Sequence, residues 1–111
     1  MPDDHQILIP PSFQALYTDA RRRLSLPLAD YRARYELCED MAQLLIEHAQ
    51  ALHHDQGVAE EIVLARSAAG LATPESGFSA AEAQWVVTRL AELLGWGQAW
   101  PALTAWSSAA V

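Results

Sequence analysis

The clearest pattern along the chain is a set of apolar residues that recur at alternating steps of four and three from about Leu28 to Gln56. This spacing predicts one long amphipathic helix, and Gly57 is a typical residue at which a helix stops. The predicted inward seam consists of Tyr31, Tyr35, Cys38, Ala42, Leu45, Ala49 and Leu52. A second, adjacent seam consists of Leu37, Met41, Leu44, His48 and Ala51. Together the two seams predict a wide apolar face against which other helices pack.

A second helix is predicted from about Val58 to Ala69, with Gly70 as its stop. Glu60 and Glu61 lie in its first turn, where negative charge suits the helix dipole. Its buried stripe is predicted to be Val58, Ile62, Ala65 and Ala69.

A third helix is predicted over Ala80–Leu94, with Gly95 at its end. Ser79 and Glu82 have the S-x-x-E spacing of a capping box, which marks the start of a helix. The inward positions are predicted to be Ala83, Val86, Val87, Leu90 and Leu94. Trp85 lies off that stripe.

The two ends of the chain have a different character. Residues 1–27 predict an extended arm, because Pro10 and Pro11 interrupt regular hydrogen bonding, and Phe13 offers an apolar contact within it. Residues 97–111 predict a tail in which Pro101 opens a short helix. Residues 28–96 form the helical domain between them. We therefore expect an all-α fold, a bundle of three main helices with an extended N-terminal arm and a short C-terminal helical tail.

Composition narrows the possible chemistry. The chain has 111 residues, the size of one domain, and its hydrophobic fraction of 51% predicts a globular core. All seven basic residues are arginine, so no lysine is present for a P-loop or a Schiff base. The single cysteine excludes an intramolecular disulfide and a multi-cysteine zinc site. The acidic start and the lack of a run of about 18 apolar residues predict a cytoplasmic protein with no membrane partner.

The net charge of −7 is unevenly distributed along the chain. Residues 21–34 carry a net charge of +4, to which Arg21, Arg22 and Arg23 contribute most, whereas residues 35–111 carry −8. A nucleic-acid-binding domain normally presents a broad basic face, and the acidic remainder of this chain would repel a duplex. We therefore expect no nucleic-acid partner. The arginine cluster would dock on an acidic protein surface or balance the acids of the long helix.

Three segments together resemble a small uncharacterised bacterial family. They are the IPPSF of residues 9–13, the RYELCED of residues 34–40, and residues 81–96, which begin with AEA and end with LAELLGW. Members of that family are labelled "ATPase with chaperone activity", and the resemblance covers most of residues 6–96. ATP hydrolysis needs a phosphate cradle and a carboxylate that holds magnesium. Since this chain has neither a lysine nor a glycine-rich loop, the resemblance implies association with a chaperone ATPase rather than hydrolysis, and it supplies no catalytic residues.

Histidines near the end of the long helix suggest an alternative function. In that alternative, the protein is a small helical bundle that binds a metal or small molecule through His48, His53 and His54. Metal ligands on one helix need a spacing of three or four residues to share a face. The step from His48 to His53 is five, and His53 and His54 point about 100° apart. We therefore favour a structural role and predict no metal and no cofactor. Cys38, on the inward seam, is predicted to be a core residue.

Aromatic side chains are the strongest lead to function. Exposed tryptophans would be anchors of a protein interface, whereas buried ones would close the end of the bundle. The candidate interface consists of Trp85, Trp96, Trp100, Trp106, Phe13, Arg21, Arg22 and Arg23. We expect a non-enzymatic protein–protein interaction module, an adaptor or accessory subunit, whose partner is another protein or a second copy of the chain. No set of residues predicts an enzyme active site.

Overall fold

The fold of residues 8–99, which are the residues that the computed structural model describes, is a bundle of α-helices. The helices are α1 (Pro11–Gln14), α2 (Leu28–Gln56), α3 (Glu60–Leu71) and α4 (Ala80–Leu94). Short 3-10 turns lie at Ala15–Tyr17, Pro74–Ser76 and Gly97–Ala99. Within residues 8–99, β-type pairing is limited to one bridge between Thr18 and Leu24. The predicted all-α bundle is confirmed.

Helices α2 and α4 begin and end at the predicted residues because local chemistry marks their ends. Gly57 and Gly95 follow the two helices with φ values of +69° and +76°, a left-handed conformation that glycine adopts without steric cost. The predicted capping box opens α4. The Ser79 hydroxyl accepts from the Glu82 amide at 3.0 Å, and the Glu82 carboxylate accepts from the Ser79 amide at 2.9 Å.

Helix α3 starts two residues later than predicted and turns a different face to the core. Its N-cap is Ala59, an extended residue without a side chain that can cap, so the acidic first turn of Glu60 and Glu61 indicates the start of the helix but no capping residue fixes it. Gly70, the predicted stop, lies inside the helix. The buried residues are Val63, Leu64 and Leu71. Ile62, Ala65 and Ala69 are exposed, so most of the predicted stripe is wrong.

The core lies where α2, α3 and α4 meet, with α2 packed mainly along α4 and α3 packed against both. The first predicted seam of α2 faces it, because Tyr31, Cys38, Ala42 and Ala49 are buried. Helix α4 contributes Ala83, Val86, Val87, Leu90 and Ala91. None of the helices in residues 8–99 combines the length and hydrophobicity that crossing a membrane requires.

The second predicted seam of α2 does not face the core. Leu37 and Leu44 have exposed fractions of 44% and 72%, His48 and Ala51 are exposed, and Met41 is half-buried. The prediction of a double-width buried face is therefore wrong. Two partner helices cover only one side of α2, and the side chains about 100° further round remain in contact with solvent.

Residues 8–27 pack onto the bundle rather than projecting from it. The Phe13 side chain is fully buried, and its ring centroid lies 5.1 Å from that of Trp85 and 5.4 Å from that of Tyr35. After α1, the chain turns at Asp19, whose carboxylate accepts from the amides of Arg21 and Arg23. The arm therefore contributes to the same core as the long helices.

Candidate functional site

The one buried carboxylate among the described residues belongs to Glu82, which is 1% exposed at the start of α4. Arg34 on α2 donates to it through Nε at 2.9 Å and Nη2 at 2.6 Å, and the Tyr17 hydroxyl from the arm donates to the same carboxylate. Arg34 also donates to the Gly77 carbonyl at 2.7 Å. This network joins the arm, α2, α4 and the loop before α4.

The electrostatics of this network favour a permanent ion pair. Burial alone would raise the pKa of Glu82, but hydrogen bonds from Arg34, Tyr17 and the Ser79 amide outweigh burial and lower that pKa to about 2. Burial and the bond to Glu82 raise the pKa of Tyr17 to about 12. General acid–base catalysis works best with a pKa near the working pH. The network is therefore suited to holding the fold together.

Two of the predicted interface rings lie inside the molecule beside this network. Trp85 is 8% exposed, and its indole nitrogen donates to the Ser12 hydroxyl at 2.9 Å. Phe13 fills the space between Trp85 and the tyrosines of α2. Phe13 and Ser12 of the arm pack on Trp85, and both aromatic rings are buried. Neither ring is therefore the exposed anchor that its position in the sequence suggested.

Trp96 is also buried, at 8% exposure, next to the histidines. Its ring centroid lies 5.0 Å from that of His53, whose Nδ1 donates to the Val58 carbonyl at 2.8 Å and whose Nε2 is 3.7 Å from a Glu60 carboxylate oxygen. Across residues 8–99, no three His, Cys, Asp or Glu side chains come together in a way that suits a metal ion. His53 thus links α2 to the start of α3.

The remaining predicted interface residues have two different outcomes. Trp100 and Trp106 lie outside the described residues. Arg21, Arg22 and Arg23 lie on the exposed turn between Thr18 and Leu24. Arg22 has a φ of +64°, and Arg23 pairs with Asp19 at 3.9 Å. All three arginines are therefore exposed, whereas Arg34, further along the same basic segment, pairs with Glu82.

Cys38 is fully buried on α2, which confirms its prediction as a core residue. Burial, with the nearby Glu82 charge, raises the pKa of the thiol to about 12. Since the thiolate is the reactive form, this sulfur is chemically inert in the folded protein.

A groove of about 630 Å³ lies between the arm and α4, with Leu16, Tyr35 and Trp85 among its lining residues. Arg89 stands at this groove and is already paired, at 2.9 Å with Glu39 and at 3.3 Å with Glu92. Glu39 correspondingly keeps a lowered pKa, because the hydrogen bonds from Arg89 and Gln43 outweigh the effect of burial. The groove is therefore mainly apolar, with its charges neutralised.

Two of the exposed apolar side chains of α2 lie in one line, whereas Leu28 on α2 and Ile62 on α3 are exposed elsewhere. Leu37 and Leu44 are seven residues apart, which places them two turns apart on the same face, and half-buried Met41 lies between them. We call these three residues the leucine seam. Single exposed leucines are common on protein surfaces, but a line with a helical repeat is typical of a helix that packs against a partner.

No protein-family model, curated protein or solved structure matches this chain. Its function must be inferred from its surface and its interior chemistry. The interior side chains with functional potential are engaged in internal contacts, whereas Leu37 and Leu44 of the leucine seam are exposed to solvent.

Two features of the site were not identified from the sequence. Glu82 was recognised only as a capping residue, although it lies four residues before Val86 and so on the inward stripe of α4, which was an available signal for burial. The leucine seam was assigned to the core because periodicity reveals an apolar face but not which part of that face a neighbour covers.

Proposed function

We propose that this protein is a non-enzymatic protein–protein interaction module, an adaptor or accessory subunit. The observation that carries the proposal is the leucine seam, an apolar line on a 29-residue helix in which Leu37 and Leu44 remain 44% and 72% exposed. The helix is about 44 Å long, so it offers an extended edge to a partner.

The exposed area of the seam gives docking a measurable driving force. Complete burial of a leucine side chain stabilises by roughly 1.5–3 kcal/mol, so covering the exposed fractions of Leu44 (72%) and Leu37 (44%) contributes about 2 kcal/mol. That contribution is typical of the central contacts of an interface, around which weaker polar contacts exclude water.

The interior chemistry supports a binding role over catalysis. The Glu82 carboxylate has a pKa of about 2 and the Cys38 thiol one of about 12, both far from neutral pH. Neither group is therefore prepared for proton transfer or nucleophilic attack. His53 is engaged with Val58, Glu60 and Trp96, which favours the structural role over a ligand site.

The resemblance to a family labelled as chaperone-linked ATPases suggests the partner. We propose that the module binds an ATPase or chaperone machine in the cytoplasm and does not itself hydrolyse ATP. The exposed turn with Arg21, Arg22 and Arg23 and the tryptophans Trp100 and Trp106 remain candidate contacts beside the leucine seam.

The test is capture of a partner from a lysate of the source cells, with and without ATP. The protein with Leu44→Asp should lose a defined partner that the unchanged protein retains, because a carboxylate would be buried in the interface. Leu28→Asp is the matched control. Leu28 is 53% exposed on the same helix but lies nine residues before Leu37, on the opposite face.

Equal capture by the Leu44→Asp and Leu28→Asp proteins would remove the leucine seam from the proposal. The double variant Trp100→Ala/Trp106→Ala, in the same assay, tests the tryptophans separately. Full capture by that double variant would remove the two tryptophans from the proposal, and the absence of any partner would contradict the interaction-module proposal itself.

A further inference from the structure

We infer that the leucine seam docks an amphipathic helix whose apolar stripe is flanked by basic residues. This inference rests on the proposed function and adds the chemistry of the partner. It follows from the charges that border the seam.

Exposed carboxylates border the seam along one side and at both ends. Asp40 and Glu47 are seven residues apart, like Leu37 and Leu44, and lie about 60° round the helix from them. Asp30 precedes Leu37 by two turns, and Asp55 lies three turns beyond Leu44, both in line with the seam. We call Asp30, Asp40, Glu47 and Asp55 the acidic rim.

No ion pair within residues 8–99 involves a carboxylate of this rim. Arg34 donates to Glu82 and Gly77, and Arg89 pairs with Glu39 and Glu92. Arg32 is exposed about 140° round α2 from Leu37, and it lies more than two turns before Asp40. The seam thus combines apolar contact with a negative border along one side and at both ends, which is complementary to an apolar stripe that has lysine or arginine beside it and at its ends.

A second copy of this chain is a poorer occupant. In a symmetric dimer the same patch meets itself, so two acidic rims would be brought together between chains that each carry a net charge of −7. Like charges at close range oppose association. A basic helix gains from the same charges.

The experiment measures binding of three dye-labelled peptides to the full chain by fluorescence anisotropy. Each has about 21 residues, long enough to span the seam as a helix. The first has a leucine stripe flanked by lysines, the second has glutamates in place of the lysines, and the third keeps the lysines but scrambles the leucines. Circular dichroism of each protein variant confirms that it is folded.

We expect the basic amphipathic peptide to bind and the other two to bind at least about tenfold more weakly. Leu44→Asp should weaken binding by at least about tenfold, whereas Leu28→Asp should not change it. The double variant Asp40→Asn/Glu47→Gln should weaken binding by about fivefold, since each exposed ion pair contributes modestly. Removal of two exposed carboxylates elsewhere, in Glu61→Gln/Glu75→Gln, is the matched control and should have a smaller effect.

The inference is overturned if the acidic or scrambled peptide binds as tightly as the basic amphipathic one, or if Asp40→Asn/Glu47→Gln binds like the unchanged protein. It is also overturned if light scattering finds a dimer that Leu44→Asp dissociates, because a second copy would then occupy the seam. Lysate capture that depends on Leu44 but not on Asp40 and Glu47 would leave the proposed function standing without the basic partner. Lysate capture that depends neither on Leu44 nor on Asp40 and Glu47 would remove the leucine seam from the proposed function and would remove the basic partner as well.

Discussion

The substitution Glu82→Gln tests whether the buried ion pair stabilises the attachment of the arm to the bundle. In the folded protein, Glu82 accepts from Arg34, Tyr17 and the Ser79 amide at 1% exposure. The amide keeps the shape of the side chain, removes its charge, and replaces one accepting oxygen with an NH2 group that faces other donors, so the change removes the ion pair together with some of its hydrogen bonds.

The expected magnitude follows from the pKa of the carboxyl group. That pKa falls from an ordinary 4.5 to about 2 on folding, and each unit corresponds to about 1.4 kcal/mol. The charge therefore stabilises the folded state by about 3 kcal/mol at neutral pH. For a domain of this size we expect the unfolding midpoint of Glu82→Gln to fall by roughly 10–20 °C.

The stabilisation by the Glu82 charge should decrease as the pH falls. A carboxyl group whose pKa is lower in the folded state contributes its full stability above the unfolded value of 4.5 and loses it as the pH falls towards 2. Urea titrations followed by circular dichroism should show the full difference between the unchanged protein and Glu82→Gln near pH 7, about half of it near pH 3, and little near pH 2.

The control is Glu36→Gln, which removes an exposed carboxylate from α2 and should change the free energy of unfolding by less than about 0.5 kcal/mol. The double variant Arg34→Gln/Glu82→Gln should cost less than the sum of its single changes, because both remove the same ion pair. The reasoning is refuted if Glu82→Gln costs less than about 1 kcal/mol near pH 7, or if its cost is independent of pH.

Three further predictions concern the core and the helix ends. Phe13→Ala should lower the free energy of unfolding by about 3–5 kcal/mol in urea titrations and alter the fluorescence of the neighbouring Trp85, whereas an independent arm would make the change silent. The Cys38 thiol should resist a disulfide reagent near pH 8 until urea unfolds the chain, and rapid labelling of the folded protein would contradict its burial. Gly70→Ala should raise the free energy of unfolding by about 0.5–1 kcal/mol, because Gly70 is helical with open space around it, whereas Gly95→Ala should lower it because φ is +76° there. Thermal melts that shift both glycine variants in the same direction would contradict this assignment.

The helices that could be predicted from the sequence are those whose ends depend on local interactions. The capping box of Ser79 and the glycines at 57 and 95 each determine a helix end within a few residues, so α2 and α4 are correct to the residue. Helix α3 has no such cap, and Gly70 stays within the helix because the contacts of Leu71 extend it by a further residue into the core.

The parts that could not be predicted depend on contacts between distant segments. Trp85 lies off the apolar stripe of α4, and Tyr35 of α2 and the arm, through Phe13 and through Ser12 at a separation of 73 residues, cover it. The same holds for Glu82, whose partner Tyr17 is 65 residues away. Leu37 and Leu44 have the helical spacing of core residues, and their exposure is determined by where α3 and α4 happen to lie. Periodicity reports the polarity of a face and not its neighbours.

The position of Phe13 has a consequence for synthesis of the protein on the ribosome. The arm emerges first, but the aromatic ring and the Tyr17 hydroxyl have their partners at Trp85 and Glu82, near the other end of the described chain. At about 5–20 residues per second, the 65 residues that separate Tyr17 from Glu82 take roughly 3–13 s to be translated. During that interval the arm cannot complete its native contacts, and α2 and α3 can form while their core remains open. Attachment of the arm to α4 must therefore follow synthesis of α4, and a nascent chain that stops before α4 lacks the partners that Trp85 and Glu82 provide for Phe13 and Tyr17.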